Sequence, residues 1–382
     1  MTDTVPDTGP ARAPRGFSWR RWRNRKIASP AFQSWASRFP LTRGHARREG
    51  ERLFDLVSGF VYSQVLYAVV ELDLLEATRD APQTVAALAS CCRIQPDRME
   101  ALCQAAAALG LFERVKGGYQ LAALGAALIG APGVIGMIRH HDVFYRDMED
   151  PIALLRGETE TELARFWPYV FGAGAAKNPE VAERYSKLMA DSQTLVAEET
   201  LRTISFNGIS HLLDVGGGTG AFLAAVGRAC PSLKMTLFDL PAVVPAAEAR
   251  FRDAGMAGRV TVTGGSFRDD PLPEGADAIS LIRVCYDHAD ETVRALMAKI
   301  FAALPPGGKL IVSEPMSGGE TPDRAGDAYF AFYCMAMQTG KARSQARIAE
   351  FMKEAGFQDI ETPNPRRTFV TSVVVGCKPG AT

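Results

Sequence analysis

Four consecutive side chains in the stretch "LIRVCYDHADET", residues 281–292, can each move a proton or bind a metal: Cys285, Tyr286, Asp287 and His288. They follow an apolar run, where a buried strand ends. No other ligands stand at zinc-site spacing around them, so Cys285 and His288 do not read as a metal centre. Cys285 reads instead as a packed thiol. What remains is proton transfer. Tyr286, Asp287 and His288 are all open as its carriers, with His140 and His141 as further acceptors and purely positional catalysis as an alternative. Structural roles compete: Tyr286 as a pocket wall, Asp287 in an Asx-turn and Asp290 as a helix cap.

A second stretch, "HLLDVGGGTGAFL", reads as a strand ending at Asp214, a glycine turn (Gly216, Gly217, Gly218, Gly220) and a helix from about Ala221. Glycines let the backbone turn tightly and pass close to a ligand. The string also satisfies G-x-G-x-x-A, so a dinucleotide site has to be weighed. Asp214 argues against one: a carboxylate so near a pyrophosphate repels it, but it can accept hydrogen bonds from a cationic amino-acid moiety. Asp239, followed by Leu240 in "LFDLP", ends the next strand where it can grip both ribose hydroxyls. With an extra strand after the last helix, these features favour S-adenosylmethionine over NAD. Ligands in such sheets lie beyond the carboxyl ends of the strands. The third strand offers Ser266 and Phe267 to an adenine, and Arg283 at the end of the fourth can reach the cofactor through its backbone.

The elements that must position these groups follow from the pattern. From His211 onward, apolar runs ("HLLDVG", "KMTLFDL", "RVTVTGG", "DAISLIRV", "KLIVSEP" and a last "TFVTSVVVGCK") alternate with mostly helical segments, which predicts a doubly wound α/β domain with a largely parallel sheet over 206–382. Residues 51–205 are largely helical. Within them "QTVAALASCC" and "PDRMEALCQAAAALGLF" predict two helices, and "ERVKGGYQLAALGAAL" a hairpin turning at Gly117–Gly118, together a winged-helix module. Its second helix is poor in Arg and Lys, so the module reads as structural or dimer-forming rather than DNA-binding. Further helices fill 128–205, with a Gly/Ala-rich loop at 172–177.

The chain has 382 residues and no net charge, which argues against a nucleic-acid binder overall. Locally the balance breaks: residues 12–48 hold eleven Arg or Lys and no Asp or Glu, interleaved with Trp19, Trp22, Phe32, Trp35 and Phe39. Residues 1–50 therefore form a basic, Trp-rich arm, disordered over 1–16, with 17–48 suited to a membrane surface or to a partner subunit. Seven scattered cysteines with no CxxC read as reduced thiols in a cytoplasmic protein, and no unbroken apolar run reaches the length of a spanning helix.

"LLDVGGGTG", "FDLPAVV", "GADAISLIRV" and "ALPPGGKLIVSEP", following the winged module, resemble the small-molecule O-methyltransferases shared by plant phenolic and bacterial polyketide enzymes, across residues 55–378. A closer match, carried by the basic N-terminus, "GGSFRDDPLPEGADAISLIRV" and "YDHAD", is to the carotenoid hydroxyl O-methyltransferases of purple phototrophic bacteria. The resemblance implies a Rossmann-like class I methyltransferase domain with an N-terminal helical winged-helix dimerisation domain, a homodimer, S-adenosylmethionine as cofactor and the tertiary C1 hydroxyl of an acyclic carotenoid as acceptor. It puts cofactor contacts at Gly216, Gly218, Gly220 and Asp239, and Ser266 where the wider family usually has an Asp. The family's usual catalytic His is Tyr286 here, followed by Asp287. Glu314 in "VSEP" matches one carboxylate that normally orients the His, and Ala342 replaces the other.

A phenol of pKa near 10 benefits from a His base, but a tertiary alcohol, with a pKa of about 16, cannot be ionised beforehand. Its proton leaves as the C–O bond forms, so a positioned acceptor such as Tyr286, relaying to Asp287, Glu314 or water, can suffice. Phe330, Met316 and "CMAM" including Met335 suit a soft apolar lining, with His141 facing the same substrate region. Polyketide methylation or hydroxylation, and a winged-helix ligand-sensing regulator, are the competing readings.

Overall fold

The computed structural model describes residues 18–166 and 192–380, in two compact units, 1–66 and 67–382. The Gly/Ala-rich loop at 172–177 and residues 1–16 lie outside the described residues.

In the first unit the basic arm folds into helices Trp19–Ile27 and Pro30–Arg38. Pro30 opens the second, where a missing N–H costs nothing. Trp19 stacks on Trp22 at 4.7 Å and Trp35 on Phe39 at 4.9 Å, pairs three and four residues apart that share a helix face. All four rings stay exposed. A 29-residue helix, Arg43–Glu71, then runs on into the second unit. Asp55, Ser58, Ser63 and Gln64 interrupt its apolar run, yet one 18-residue window averages a hydropathy of 1.6, long and apolar enough to cross a membrane by length and composition alone. Leu53, Phe54, Leu56, Val57, Phe60 and Val61 are exposed along it.

The second unit begins with the winged-helix module. Thr84 caps helix Val85–Cys92 by accepting from the Ala87 N–H at 3.1 Å. Helix Pro96–Ala108 follows, then β1 (Phe112–Val115) and β2 (Gly118–Leu121), antiparallel with Val115 opposite Gly118. The turn is therefore Lys116–Gly117, one residue earlier than expected. Helices Ala123–Ile129, Pro132–Asp147, Pro151–Arg156, Glu162–Phe166 and 192–203 lead to the sheet.

The sheet has seven strands in the order β5-β4-β3-β6-β7-β9-β8: β3 (His211–Val215), β4 (Lys234–Asp239), β5 (Val260–Gly264), β6 (Ala278–Ile282), β7 (Lys309–Glu314), β8 (Gln358–Glu361) and β9 (Ser372–Cys377). β3 to β7 pair in parallel, and β9 inserts antiparallel between β7 and β8. β6 is buried along its whole length, as expected of a strand covered on both faces. Alternation divides the core. Leu213, Leu281, Leu310 and Val312 pack on one face with Met297, Ile300 and Phe351; Leu212, Ile282 and Ile311 pack on the other with Phe222, Leu223 and Phe251. β8, "QDIE", is mostly exposed and edge-placed, so no apolar alternation announces it.

Candidate active site

The chemistry-bearing residues converge at the carboxyl ends of β3 to β7. After β3 the glycine turn leads into helix Ala221–Ala229. Gly218 has φ +57 with only open space where a Cβ would stand, so the backbone there lies bare to a ligand. At Gly220, φ +76, a Cβ would come 2.4 Å from the Phe251 ring; packing against the next helix excludes any side chain. The Gly216 N–H donates to the Phe238 carbonyl at 2.8 Å, tying the turn to β4.

Asp239 braces the same turn. Its Oδ2 accepts from the Gly218 N–H at 2.7 Å and its Oδ1 from the Leu240 N–H at 2.6 Å, which fixes the carboxylate at the mouth of the loop with lone pairs to spare. Burial raises its pKa, and the two backbone donors pull it back. Asp214 lies beneath the turn. It faces Ser280 in the β3–β6 register, and the Ser280 hydroxyl donates to its Oδ1 at 2.6 Å. Its Oδ2 is buried without a hydrogen-bond partner among the described residues, and burial pushes the carboxyl up to about 7. A bare glycine backbone, a braced ribose-type carboxylate and an unsatisfied buried acceptor below them fit S-adenosylmethionine.

At the end of β5 the Ser266 hydroxyl donates to Asp269 at 2.9 Å and accepts from the Arg268 N–H at 3.2 Å, leaving one acceptor lone pair for an adenine amine. Phe267 meets His288 edge to face at 5.2 Å. His288 is buried rather than exposed, its Nδ1 bonds the Arg268 guanidinium at 3.0 Å, and burial lowers its pKa to about 4. It is a poor proton acceptor.

Residues Cys285–Asp287 form a single 3-10 turn after β6. Cys285 is fully buried and its thiol is pushed well up by burial, in keeping with a packed, inert group. Tyr286 packs with Cys334, Ala342 and Phe330, and burial drives its phenol pKa upward, so it stays protonated. Asp287 Oδ1 is buried without a partner among the described residues. Burial raises its carboxyl to about 8 against the pull of Arg283. Glu314, at the end of β7, accepts from the Tyr286 backbone N–H at 3.1 Å and is pushed by burial to about 7; its Oε1 has no partner among the described residues.

Arg283 has φ +59, rare for a side chain of this size, and its guanidinium donates to the Tyr286 hydroxyl at 3.3 Å and to Ser192 at 2.7 Å. Asp290 lies within helix Asp290–Ala303, behind Ala289, and pairs with the buried Arg343 at 2.7 Å instead of capping. Arg343 also donates to the carbonyls of Cys285 at 2.8 Å and His288 at 2.7 Å, gripping the turn on its acceptor side.

Of the expected substrate residues, His141 bonds the Tyr329 hydroxyl at 2.7 Å and burial lowers its pKa; His140 bonds the Tyr333 hydroxyl at 2.9 Å. Phe330 joins Tyr286, and Met316 is buried after β7. Met335 stands 37% exposed and is not among the residues packed on Tyr286. The sequence reading missed the Arg283 side chain, Arg343, Tyr329 and Tyr333. The tyrosines had a signal, four residues apart in "AYFAFYC"; Arg343 had only its place beside Ala342.

Comparison with known proteins gives the chemistry a family. The model of the O-methyltransferase domain matches residues 145–358, and that of the O-methyltransferase dimerisation domain residues 54–130. The chain is 55% identical over 371 residues to the demethylspheroidene O-methyltransferase of Cereibacter sphaeroides, covering 97% of each chain. It is 52% identical over 337 residues to the protein of the same name from Rhodobacter capsulatus, covering 88% of this chain and 84% of that one. Human N-acetylserotonin methyltransferase, crystallised with S-adenosylmethionine, superposes with a TM-score of 0.73 at 23% identity, over 87% of this chain and 98% of that chain, and so shares the fold. The dimerisation domain starts on the exposed apolar stretch of helix Arg43–Glu71 and supports a homodimer. The chain belongs to the S-adenosylmethionine-dependent O-methyltransferases that carry an N-terminal dimerisation domain.

Proposed function

We propose that this O-methyltransferase methylates the tertiary C1 hydroxyl of an acyclic carotenoid of the demethylspheroidene or hydroxyneurosporene type, in carotenoid biosynthesis. The observation that carries this is the 55% identity across 97% of both chains with an enzyme named for that substrate. The replacement of the usual His by Tyr286 supports it, because a tertiary alcohol has no use for a base that ionises it in advance.

In this reading Gly216, Gly218, Gly220, Asp239 and Leu240 hold the cofactor, with Asp214 beneath its amino-acid end and Ser266 and Phe267 at its adenine. The bound cofactor supplies an electrophilic methyl group. Tyr286, neutral, accepts a hydrogen bond from the acceptor hydroxyl. As the ether forms, the hydroxyl proton passes to Tyr286 and the phenol's own proton to Asp287, so one proton leaves the substrate and one neutral carboxyl results. Glu314 holds the turn that carries both groups. His141, Met316 and Phe330 line the polyene, with Met335 further out.

The arm of residues 1–50 precedes the helical domain 51–205 and the cofactor domain 206–382. Its exposed Trp rings among Arg and Lys support peripheral contact with an anionic membrane, where a cytoplasmic enzyme would meet so apolar a substrate. The test is incubation of the purified enzyme with methyl-labelled S-adenosylmethionine and demethylspheroidene. Label in the 1-methoxy product is expected; none, with cofactor binding intact, would defeat the assignment.

A further inference from the structure

We infer that Arg283 acts through its guanidinium as a positioning residue, fixing the Tyr286 hydroxyl and supplying the positive field in which Asp287 receives the proton; this rests on the relay proposed above. Two independent features point the same way. The backbone at Arg283 sits at φ +59, a conformation that disfavours a long side chain and persists only where the surroundings enforce it. That twist comes immediately after β6, three residues before the phenol. The guanidinium then spans Ser192 at 2.7 Å and the Tyr286 hydroxyl at 3.3 Å, joining helix 192–203 to the reacting turn.

The electrostatics around Asp287 explain why a cation belongs there. Among the described residues, the groups facing it are Cys285 and Tyr286 on its own turn, Glu314 from β7, and Tyr333 and Cys334 from helix Ala331–Met337. Each of these is neutral or acidic. Lys341 and Arg343 come from the neighbouring loop, but they meet the turn at its backbone: the Lys341 N–H donates to the Tyr286 carbonyl at 2.8 Å, and Arg343 to those of Cys285 and His288. Among the described residues Arg283 is the cation that favours the charged form of Asp287, against both burial and Glu314. It also donates to the phenol oxygen, which orients the hydroxyl and leaves its proton free to move onward.

A carboxylate that must be ionised to take a proton gives activity that rises with pH through its pKa. Removing the cation raises that pKa, so the acidic limb of kcat must move to higher pH. The experiment compares kcat–pH profiles of the wild type, Asp287→Asn, Arg283→Met and Arg283→Lys with saturating demethylspheroidene. Binding of S-adenosylhomocysteine is followed in parallel by calorimetry. Arg283→Met should shift the limb upward by about one pH unit or more, with cofactor Kd changed less than about threefold. Arg283→Lys, which keeps the charge, should leave the limb near its wild-type position while lowering kcat. An unmoved limb in Arg283→Met, or a loss confined to cofactor Kd, overturns the inference. Asp287→Asn separates the two claims: a retained limb there defeats the relay itself, whereas a lost limb with Arg283→Met unshifted defeats only the role of Arg283. Should Arg283→Met fail to fold, Arg283→Gln is read in the same way.

Discussion

The Tyr286 backbone N–H donates to Glu314 Oε2 at 3.1 Å, so the carboxylate closing β7 grips the chain that carries the phenol rather than the phenol itself. A carboxylate that would orient a catalytic His in related enzymes here acts as a brace for a turn. Glu314→Gln keeps an acceptor for that N–H and should retain most of the stability. Glu314→Ala leaves it buried and unpaired, at a cost of about 1–3 kcal/mol, and should lower kcat at least tenfold by loosening the turn. Thermal melts beside steady-state rates distinguish the two variants; equal rates for both would remove the bracing role.

Tyr286→Phe removes the hydroxyl proposed as the proton relay while preserving the packing with Cys334 and Phe330. General acid–base contributions are typically worth about 10²–10⁴, so kcat should fall by at least about 10² with little change in melting temperature. Single-turnover rates provide the check. A loss below about tenfold would mean that the methyl group moves without a discrete acceptor at this position.

Asp239→Ala strips both the Gly218 and the Leu240 N–H of their acceptor and removes the carboxylate proposed to bind the ribose. Hydrogen bonds to charged groups contribute about 1.5–3 kcal/mol, so S-adenosylhomocysteine affinity should drop by roughly 10–100-fold. Calorimetry on the purified variant measures this directly, independent of the carotenoid.

Asp214 gives a stability signature with a definite sign. Its folded-state pKa, pushed by burial to about 7, lies above the value near 3.9 of an unfolded chain, so the native protein binds the extra proton. The contribution is fully present below about pH 4 and is lost as pH rises through about 7, where an unpaired Oδ2 must ionise in the core. Asp214→Asn cannot ionise. Its stability relative to the wild type should therefore rise between pH 5 and 8, by on the order of 1–3 kcal/mol. Denaturant midpoints of the cofactor-free proteins across that range test it; parallel curves would contradict an ionising Asp214.

For the arm, replacing Trp19, Trp22 and Trp35 by Ala should weaken binding to vesicles containing phosphatidylglycerol at least tenfold, and raised salt should weaken the wild type further. Cosedimentation is sufficient. Unchanged binding, or none by the wild type, would leave the arm to a protein partner.

Much of the frame was legible because it rests on local pattern. The apolar runs of β3 to β7 are near-continuous since both faces of a parallel sheet are covered, and a glycine turn between strand and helix has few other meanings. Edge strand β8 escaped notice for the converse reason: mostly exposed and four residues long, it carries no alternation. His288 stood as a rival acceptor two residues from Tyr286, but the ring of Phe267 and the guanidinium of Arg268, twenty residues away, enclose it. Asp290 looked like a cap until Arg343, 53 residues on, claimed its carboxylate.

The sequence by itself determined the run of strands β3 to β7, the glycine turn and the acids at Asp214 and Asp239, because each is written in neighbouring residues; that Tyr286 stands where a His is usual came from the family resemblance. Only the tertiary structure decided what those groups can do. It buried Asp214, Asp287 and Glu314, each with an oxygen that has no partner among the described residues, and it turned the Arg283 guanidinium onto the phenol. Proton affinity depends on desolvation and on charges a few ångströms away in space, and those neighbours come from distant parts of the chain.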